Sequence, residues 1–445
     1  MAWMDENLLQ DVVAAALKAG ADAAEAVFAE RQALSVEVRA GVVEELEREE
    51  SRDLGLRVFV GQRQAVVSGS DISAEARAKL IERVVAMARL APEDPYAGLA
   101  PADRLAKGPG PDLDLFDPED PAPDALEAEA RAAAEAAGAP EGIAVPQGGA
   151  SWTKGSWRLI TSGGFSGLHR ATNFGRWGVA IAQDEHGMET AYDSRSARWR
   201  ADLPSPEALG AEAARRALAQ LGARKIDSVT APVIFENRLA ASLVGPLLGA
   251  ISGPSVARGV SFLKDKLGQQ VFAKGVNILD QPHRPRGLGS TPYDDEGVVN
   301  GDLAVIEDGV LTTWLLNTAA ARQLGLRSNG RASRGLAGPP GVGPTNLTVQ
   351  PGEHDLAALM KDAGSGLLVT SMFGPSLNAN TGDWSIGVSG FWFEGGERAY
   401  PVNEITVAGN LIDVYGRLVP GADLEYRGAV NSPSILVPDL AIAGK

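Results

Sequence analysis

The chain has 445 residues, 44% of them hydrophobic, and a formal net charge of −16 at pH 7. That length suggests two or three domains rather than one core. The acidic balance argues against non-specific binding to nucleic acid or an anionic membrane, and no basic cluster is interleaved with aromatics. The absence of cysteine excludes disulfides, thiolate metal sites, iron–sulfur clusters and cysteine nucleophiles. The opening MAWMDENLLQ carries acids where a signal peptide carries Lys or Arg. The most apolar stretch, residues 239–251, falls short of the roughly 20 residues a membrane span needs. A cytosolic protein is expected.

Leu8, Leu9, Val12, Val13, Ala16 and Leu17 recur at helical spacing, and Gly20 stops the helix. Alternation in residues 35–39, a turn at Ala40 and Gly41 and a return at Val42 predict a hairpin. A second hairpin runs from Leu56 through Gly61 to Ala65. Ser73 is placed to cap a helix whose apolar face holds Leu80, Ile81 and Val84. This first unit reads as a sheet covered by helices. Repeated prolines in residues 91–125 predict a long surface connection. An Ala/Glu-rich, solvent-exposed helix is expected at 126–137. Strands are expected at 157–161 and 177–183, and then a helix from Pro206 with Ser205 as cap.

Residues 232–235 read as a short buried strand. The following apolar helix is interrupted by Gly245 and Pro246, and a proline there should kink it or start a new one. Asp308-Gly309 between two apolar runs predicts a tight hairpin. A short helix at 318–324 stops at Gly325, and residues 335–344 form a Gly/Pro loop. The rest, from Leu347, reads mainly as strands.

Chemistry-bearing residues are sparse. His169, His186, His283 and His354 are too far apart in sequence for a paired-His helix, and surface or loop histidines are expected. Asp294, Asp295 and Glu296, with His283, have the oxygens to bind a hard cation. The plainer expectation is a turn whose carboxylates accept backbone N–H bonds and pair with Arg284 or Arg286. Nucleophile-elbow and phosphate-loop patterns are absent. In TGDWSIGVSGFWFEGGE, Ile386, Val388 and Trp392 share one face of a strand and Phe391 and Phe393 the other. Such a strand belongs in a sheet interior or a subunit interface. Asp383 is either an acid with a chemical role or the closure of a Thr-Gly-Asp turn.

Several segments together resemble one family across nearly the whole chain. They are LGLRVFVGQRQAVVSGSDIS, GLGSTPYDDEGV, IEDGVLTTWLLNTAAARQLGL, PTNLTVQPGE, TGDWSIGVSGFWFEGGE and VNEITVAGNLIDV. This combination resembles the TldD/PmbA family, linked to metallopeptidase activity. In its zinc branch, TldD, a helix carries His-Glu-x-x-x-His and a cysteine lies near the C-terminus. On this resemblance those helix positions fall on Val244, Gly245 and Gly249, and the cysteine segment on residues 426–430. None of Val244, Gly245 and Gly249 can bind metal or act as a base, and the chain has no cysteine. The resemblance therefore implies the metal-free branch, PmbA, also called TldE.

The resemblance implies a metal-free subunit with no cofactor of its own, paired in a heterodimer with a TldD-type subunit that holds zinc and cleaves small or unfolded peptides. Candidate substrate or interface contacts are Asp294, Glu296, Asn346, Asp383, Trp384 and Trp392. The alternatives are a stand-alone homodimer that binds peptides, or a self-sufficient hydrolase using Asp294, Glu296 or Asp383. The expected fold is α+β. It comprises an N-terminal sheet-and-helix domain (1–100), a Pro/Asp-rich connection (101–125), a central α/β segment (126–228) and a β-rich C-terminal domain with mixed or antiparallel sheets (229–445).

Overall fold

A computed structural model describes residues 6–185 and 187–445. The first five residues and His186 lie outside them. The fold is α+β. Helix α1 (Glu6–Lys18) leads into β1 (Ala23–Arg39), β2 (Val42–Val60), β3 (Arg63–Gly69) and α2 (Ala74–Leu90). The hairpin turns where expected, with Ala40 at φ 48 and Gly41 at φ 81. Ser73 caps α2 by accepting the Ala76 N–H. Leu9, Val12 and Ala16 of α1, with Leu80 and Val84 of α2, bury Ala26, Phe28, Leu54 and Leu56 of the sheet.

The central segment adds α3 (Pro123–Gly138), β4 (Ile143–Thr161), β5 (Ser166–Asp184), β6 (Gly187–Ala197) and α4 (Pro206–Gln220). Its three strands continue the first sheet, in the order β3-β2-β1-β4-β5-β6. The two segments join where β1 pairs antiparallel with β4, Ala29 opposite Trp157. The strands are much longer than the predicted 157–161 and 177–183.

Helix α3 is solvent-exposed on one side only, with Asp124, Ala128 and Glu135 outward. Leu126, Ala130, Ala133, Ala134 and Ala137 are buried. Alanines leave so thin a face that backbones nearly touch: a side chain at Gly148 of β4 would collide with the Ala130 carbonyl, and one at Gly210 of α4 with the Ala133 carbonyl. The connection before α3 holds no strand or α-helix beyond a short turn at Ala102–Arg104. It is pinned to β5, where Thr172 N–H donates to the Leu115 carbonyl at 2.9 Å and Asp117 N–H to Thr172 Oγ1 at 2.9 Å.

In the last unit, β7 (Val229–Phe235) lies inside a six-stranded mixed sheet. It runs parallel to the Ser365–Leu377 strand and antiparallel to Ile435–Ala443. Helix α5 (Asn237–Ala250) packs Leu243, Val244 and Leu247 into the main core, which also holds Phe235, Ile278, Ile306, Leu347 and Val388. The helix continues through Pro246. Ser242, whose carbonyl loses its partner there, is exposed, so water can take the bond. The Asp308-Gly309 turn forms with φ values of 47 and 81. The strand Asp383–Glu394 is apolar on both sides because the chain covers both faces of its sheet. Trp384, Ile386 and Val388 enter the main core, and Phe393 packs with Leu359 and Met360. Among the described residues no helix is long and apolar enough to cross a membrane.

The glycines give a direct test of this packing. Gly210→Ala should lower the melting temperature, because overpacking costs about 1–3 kcal/mol against a helix-propensity gain of about 1 kcal/mol. Gly249→Ala in α5, whose added methyl would meet no atom within 4 Å, should raise it. Thermal melts of the two variants check the pair.

Candidate functional site

The loop before the Leu303–Glu307 strand folds back on itself through its own carboxylates. Asp294 Oδ1 accepts the N–H groups of Glu296 at 3.0 Å and Val298 at 2.8 Å, and Oδ2 accepts that of Ala332 at 3.1 Å. Glu296 Oε2 accepts the Thr318 N–H at 2.8 Å and hydroxyl at 2.6 Å, fastening the start of the next helix. Asp295 Oδ2 accepts the Arg334 N–H at 2.9 Å. Asp294 and Glu296 are 3% and 4% exposed, so neither reaches a surface. Burial, then the neighbouring Glu296 charge, pushes the Asp294 pKa well up. Burial also raises Glu296 and lifts Asp295 to about 6. The backbone bonds were expected; pairing with Arg284 or Arg286 does not occur. Arg286 binds Asp114 and Asp202 instead, and Arg284 stacks on Tyr426.

The cations that meet this loop come from elsewhere. Glu25 of β1 pairs with Arg57 of β2 at 3.1 Å and with Arg334 from the Gly/Pro loop. Glu25 and Arg57 are each 2% exposed and the Arg334 side chain 0%. Arg57 also donates to Gln64 at 2.6 Å. A second buried pair, Arg331 and Asp280, holds the loops of the last unit, with Asp280 Oδ1 accepting the Thr345 N–H at 2.8 Å. Asn346 is buried and ties Gly289 N–H, the Gln281 carbonyl and Ser290 Oγ together.

The histidines are scattered. His169 is not a loop residue. It lies on β5 with its ring 6.2 Å from that of Tyr293 and its Nδ1 buried without a partner. Burial, then the Arg198 charge, lowers its pKa to about 4. The unexpected length of β5 put it there. His283 Nε2 bonds Asn300 at 2.8 Å, and His354 Nδ1 meets Asp362 at 2.6 Å on the surface. Asp383 is exposed and accepts from Thr381 Oγ1 at 2.7 Å and Asn410 Nδ2 at 3.0 Å, which lower its pKa. It thus closes the Thr-Gly-Asp turn. Trp384 is buried edge-on to Phe235, and Trp392 is half-buried against the main core. The structure therefore gathers Asp294 and Glu296 in one loop and leaves the other candidates dispersed.

Three family models cover this architecture in order: PmbA/TldA metallopeptidase domain 1 at residues 24–88, the central domain at 112–221 and the C-terminal domain at 228–444. The chain is 38% identical to metalloprotease PmbA of Escherichia coli O157:H7 over 99% of its length and 97% of that protein's. The chain belongs to the PmbA/TldD metallopeptidase family. It is also 35% identical to a PmbA homolog of Haemophilus influenzae, over 96% of this chain and 94% of that one. A crystal structure from Bacteroides thetaiotaomicron, described as a modulator of DNA gyrase, superposes with a TM-score of 0.92 at 27% identity, covering 99% of this chain and 100% of that one.

Membership raises the question of metal. The three α5 positions that the resemblance sets against the PmbA/TldD zinc ligands offer no donor atom. Val244 is an aliphatic side chain at 0% exposure, and Gly245 and Gly249 border open space. In residues 426–430, where the resemblance places the cysteine, Arg427 is bound to Glu425 at 2.7 Å. These residues do not fit a zinc ion. Among the described residues, no group of three His, Cys, Asp or Glu side chains is placed to hold a metal ion.

Sequence reasoning missed Glu25, Arg57, Arg334 and the Arg331–Asp280 pair. One signal was available: Arg57 interrupts the apolar run LGLRVFV, and a charge there needs a partner.

The raised Asp295 pKa makes a pH prediction. A carboxyl that binds its proton more tightly when folded stabilises the fold at low pH, and loses that contribution as pH rises from the usual 3.8 through about 6. Asp295→Asn keeps an oxygen to accept the Arg334 N–H. It should be more stable than the parent at pH 7 and should flatten the stability profile across that window in urea melts. An unchanged profile would contradict the assignment.

Proposed function

We propose that this chain is the metal-free subunit of a two-subunit zinc peptidase and works only with a zinc-bearing partner of the same family. The observation that carries the reading is the chemistry of α5. A family associated with metallopeptidase activity has, in this chain, an aliphatic residue and two glycines at the positions set against its ligands. In the partner, zinc supplies a Lewis acid and activated water. This chain contributes scaffold and encloses the peptide.

The self-sufficient hydrolase has less support. Asp294 and Glu296 are buried, their oxygens accepting loop N–H and hydroxyl groups, and Asp383 is bonded within its own turn. No observation favours a stand-alone peptide-binding homodimer over the paired subunit.

Metal retention tests the reading. The purified chain, loaded with excess zinc and then desalted, should keep well under one equivalent by elemental analysis. It should also leave an unfolded peptide uncut. Stoichiometric zinc, or cleavage that a chelator abolishes, would overturn the proposal. Cleavage that survives the chelator would favour the self-sufficient hydrolase.

A further inference from the structure

One cavity carries more positive charge than its surroundings neutralise. It measures about 290 Å³ and lies between the end of β6, the loop at residues 284–288 and Tyr426. Three arginines line it. Arg286 is neutralised by Asp114 and Asp202. The other two lack a counterion among the described residues.

Arg198 donates only to main-chain carbonyls: Thr172 at 3.0 Å, Gly287 at 3.3 Å and Leu288. These bonds use three of its five N–H donors and leave its charge. Arg284 Cζ lies over the Tyr426 ring, 2.9 Å from the centroid. Stacking of this kind leaves the in-plane N–H edge of a guanidinium free to donate. Desolvation lowers the pKa of both residues, as expected for cations drawn partly from water without a carboxylate.

Uncompensated charge of this kind is costly unless an anion completes it. Two polar groups already in the wall have partners: Asn346 is held by Gly289, Gln281 and Ser290, and Gly428 N–H by Asn431. Asp202, the carboxylate in the lining, is engaged by Arg286 and pairs with neither Arg198 nor Arg284. The planar Arg284 edge matches the two-oxygen geometry of a carboxylate or phosphate.

We propose that this cavity binds an oxyanion of the carboxylate or phosphate class, held by Arg284 on its stacked Tyr426 platform with Arg198 behind it. The two sources are the terminal carboxylate of a peptide and free phosphate. The inference does not depend on whether the chain is a metal-free subunit, because binding needs neither zinc nor a partner.

Isothermal titration calorimetry of the full chain separates the sources. The probes are inorganic phosphate, glycylglycine and glycylglycinamide, which lacks the carboxylate. Phosphate or glycylglycine should bind, and the amide should not. Arg284→Gln should weaken that binding about tenfold, the value of one charge-assisted pair. Tyr426→Leu should weaken it too, since the platform is lost. Arg327→Gln, an exposed arginine paired with Asp103 elsewhere, should leave it unchanged. The Arg284 side chain makes no hydrogen bond to the rest of the described chain, and its carbonyl, which accepts from Ser290 Oγ and Gly287 N–H, is kept in the variant, so folding is not at stake, and a melt confirms it. Binding of phosphate alone assigns a phosphate site, and binding of glycylglycine alone a carboxylate site. No binding of either anion, equal binding of the amide, or unchanged binding in Arg284→Gln would overturn the proposal.

Discussion

Glu25 sits between two arginines that belong to opposite ends of the chain. Arg57 lies beside it on the first sheet, and Arg334 reaches in from the Gly/Pro loop of the last unit. All three are withdrawn from water, where an isolated charge is costly and a paired one is tolerable. Each carboxylate or guanidinium therefore depends on the others being in place, which fixes how the first sheet meets the last unit. The same loop region carries Asp294, Asp295 and Glu296. Their bonds to Ala332, Arg334 and Thr318 extend the constraint into the last unit's interior. Buried polar groups here organise loops that have few apolar residues of their own.

Much of the fold was legible from local chemistry. Helical spacing in α1, the Ser73 and Ser205 caps and the Asp308-Gly309 turn all specify their elements through nearest neighbours, and the structure agrees. What failed was tertiary. The alanine face of α3 reads as solvated because it is small, yet smallness is what lets its backbone approach Gly148 and Gly210. The length of β4 depends on pairing with β1, more than a hundred residues away in sequence, and that of β5 on pairing with β4 in turn, so short windows underestimate both. Arg57 was visible as a charge in an apolar run, but its partner Glu25 could be found only through strand register.

The candidate site divides in the same way. The acidic turn was recognisable, and its backbone bonds follow from Asp chemistry in loops. Its arginine partners were misassigned because proximity in sequence suggested Arg284 and Arg286, while the fold delivers Arg334. The block from Thr381 identifies the family through its glycines and aromatics. In three dimensions it is scaffold: Asp383 closes a turn, Gly390 lies where a side chain would strike the Leu368 carbonyl, and the aromatics fill two cores. The architecture of a metallopeptidase family is thus complete while the α5 surface offers no ligand. That combination makes sense if the chemistry is supplied by a related chain.

The central claim is tested most directly by mixing this chain with a purified zinc-branch subunit and following the mixture by size-exclusion chromatography with light scattering. The account predicts a one-to-one heterodimer containing zinc only from the partner. Two chains that elute separately at micromolar concentration would contradict it.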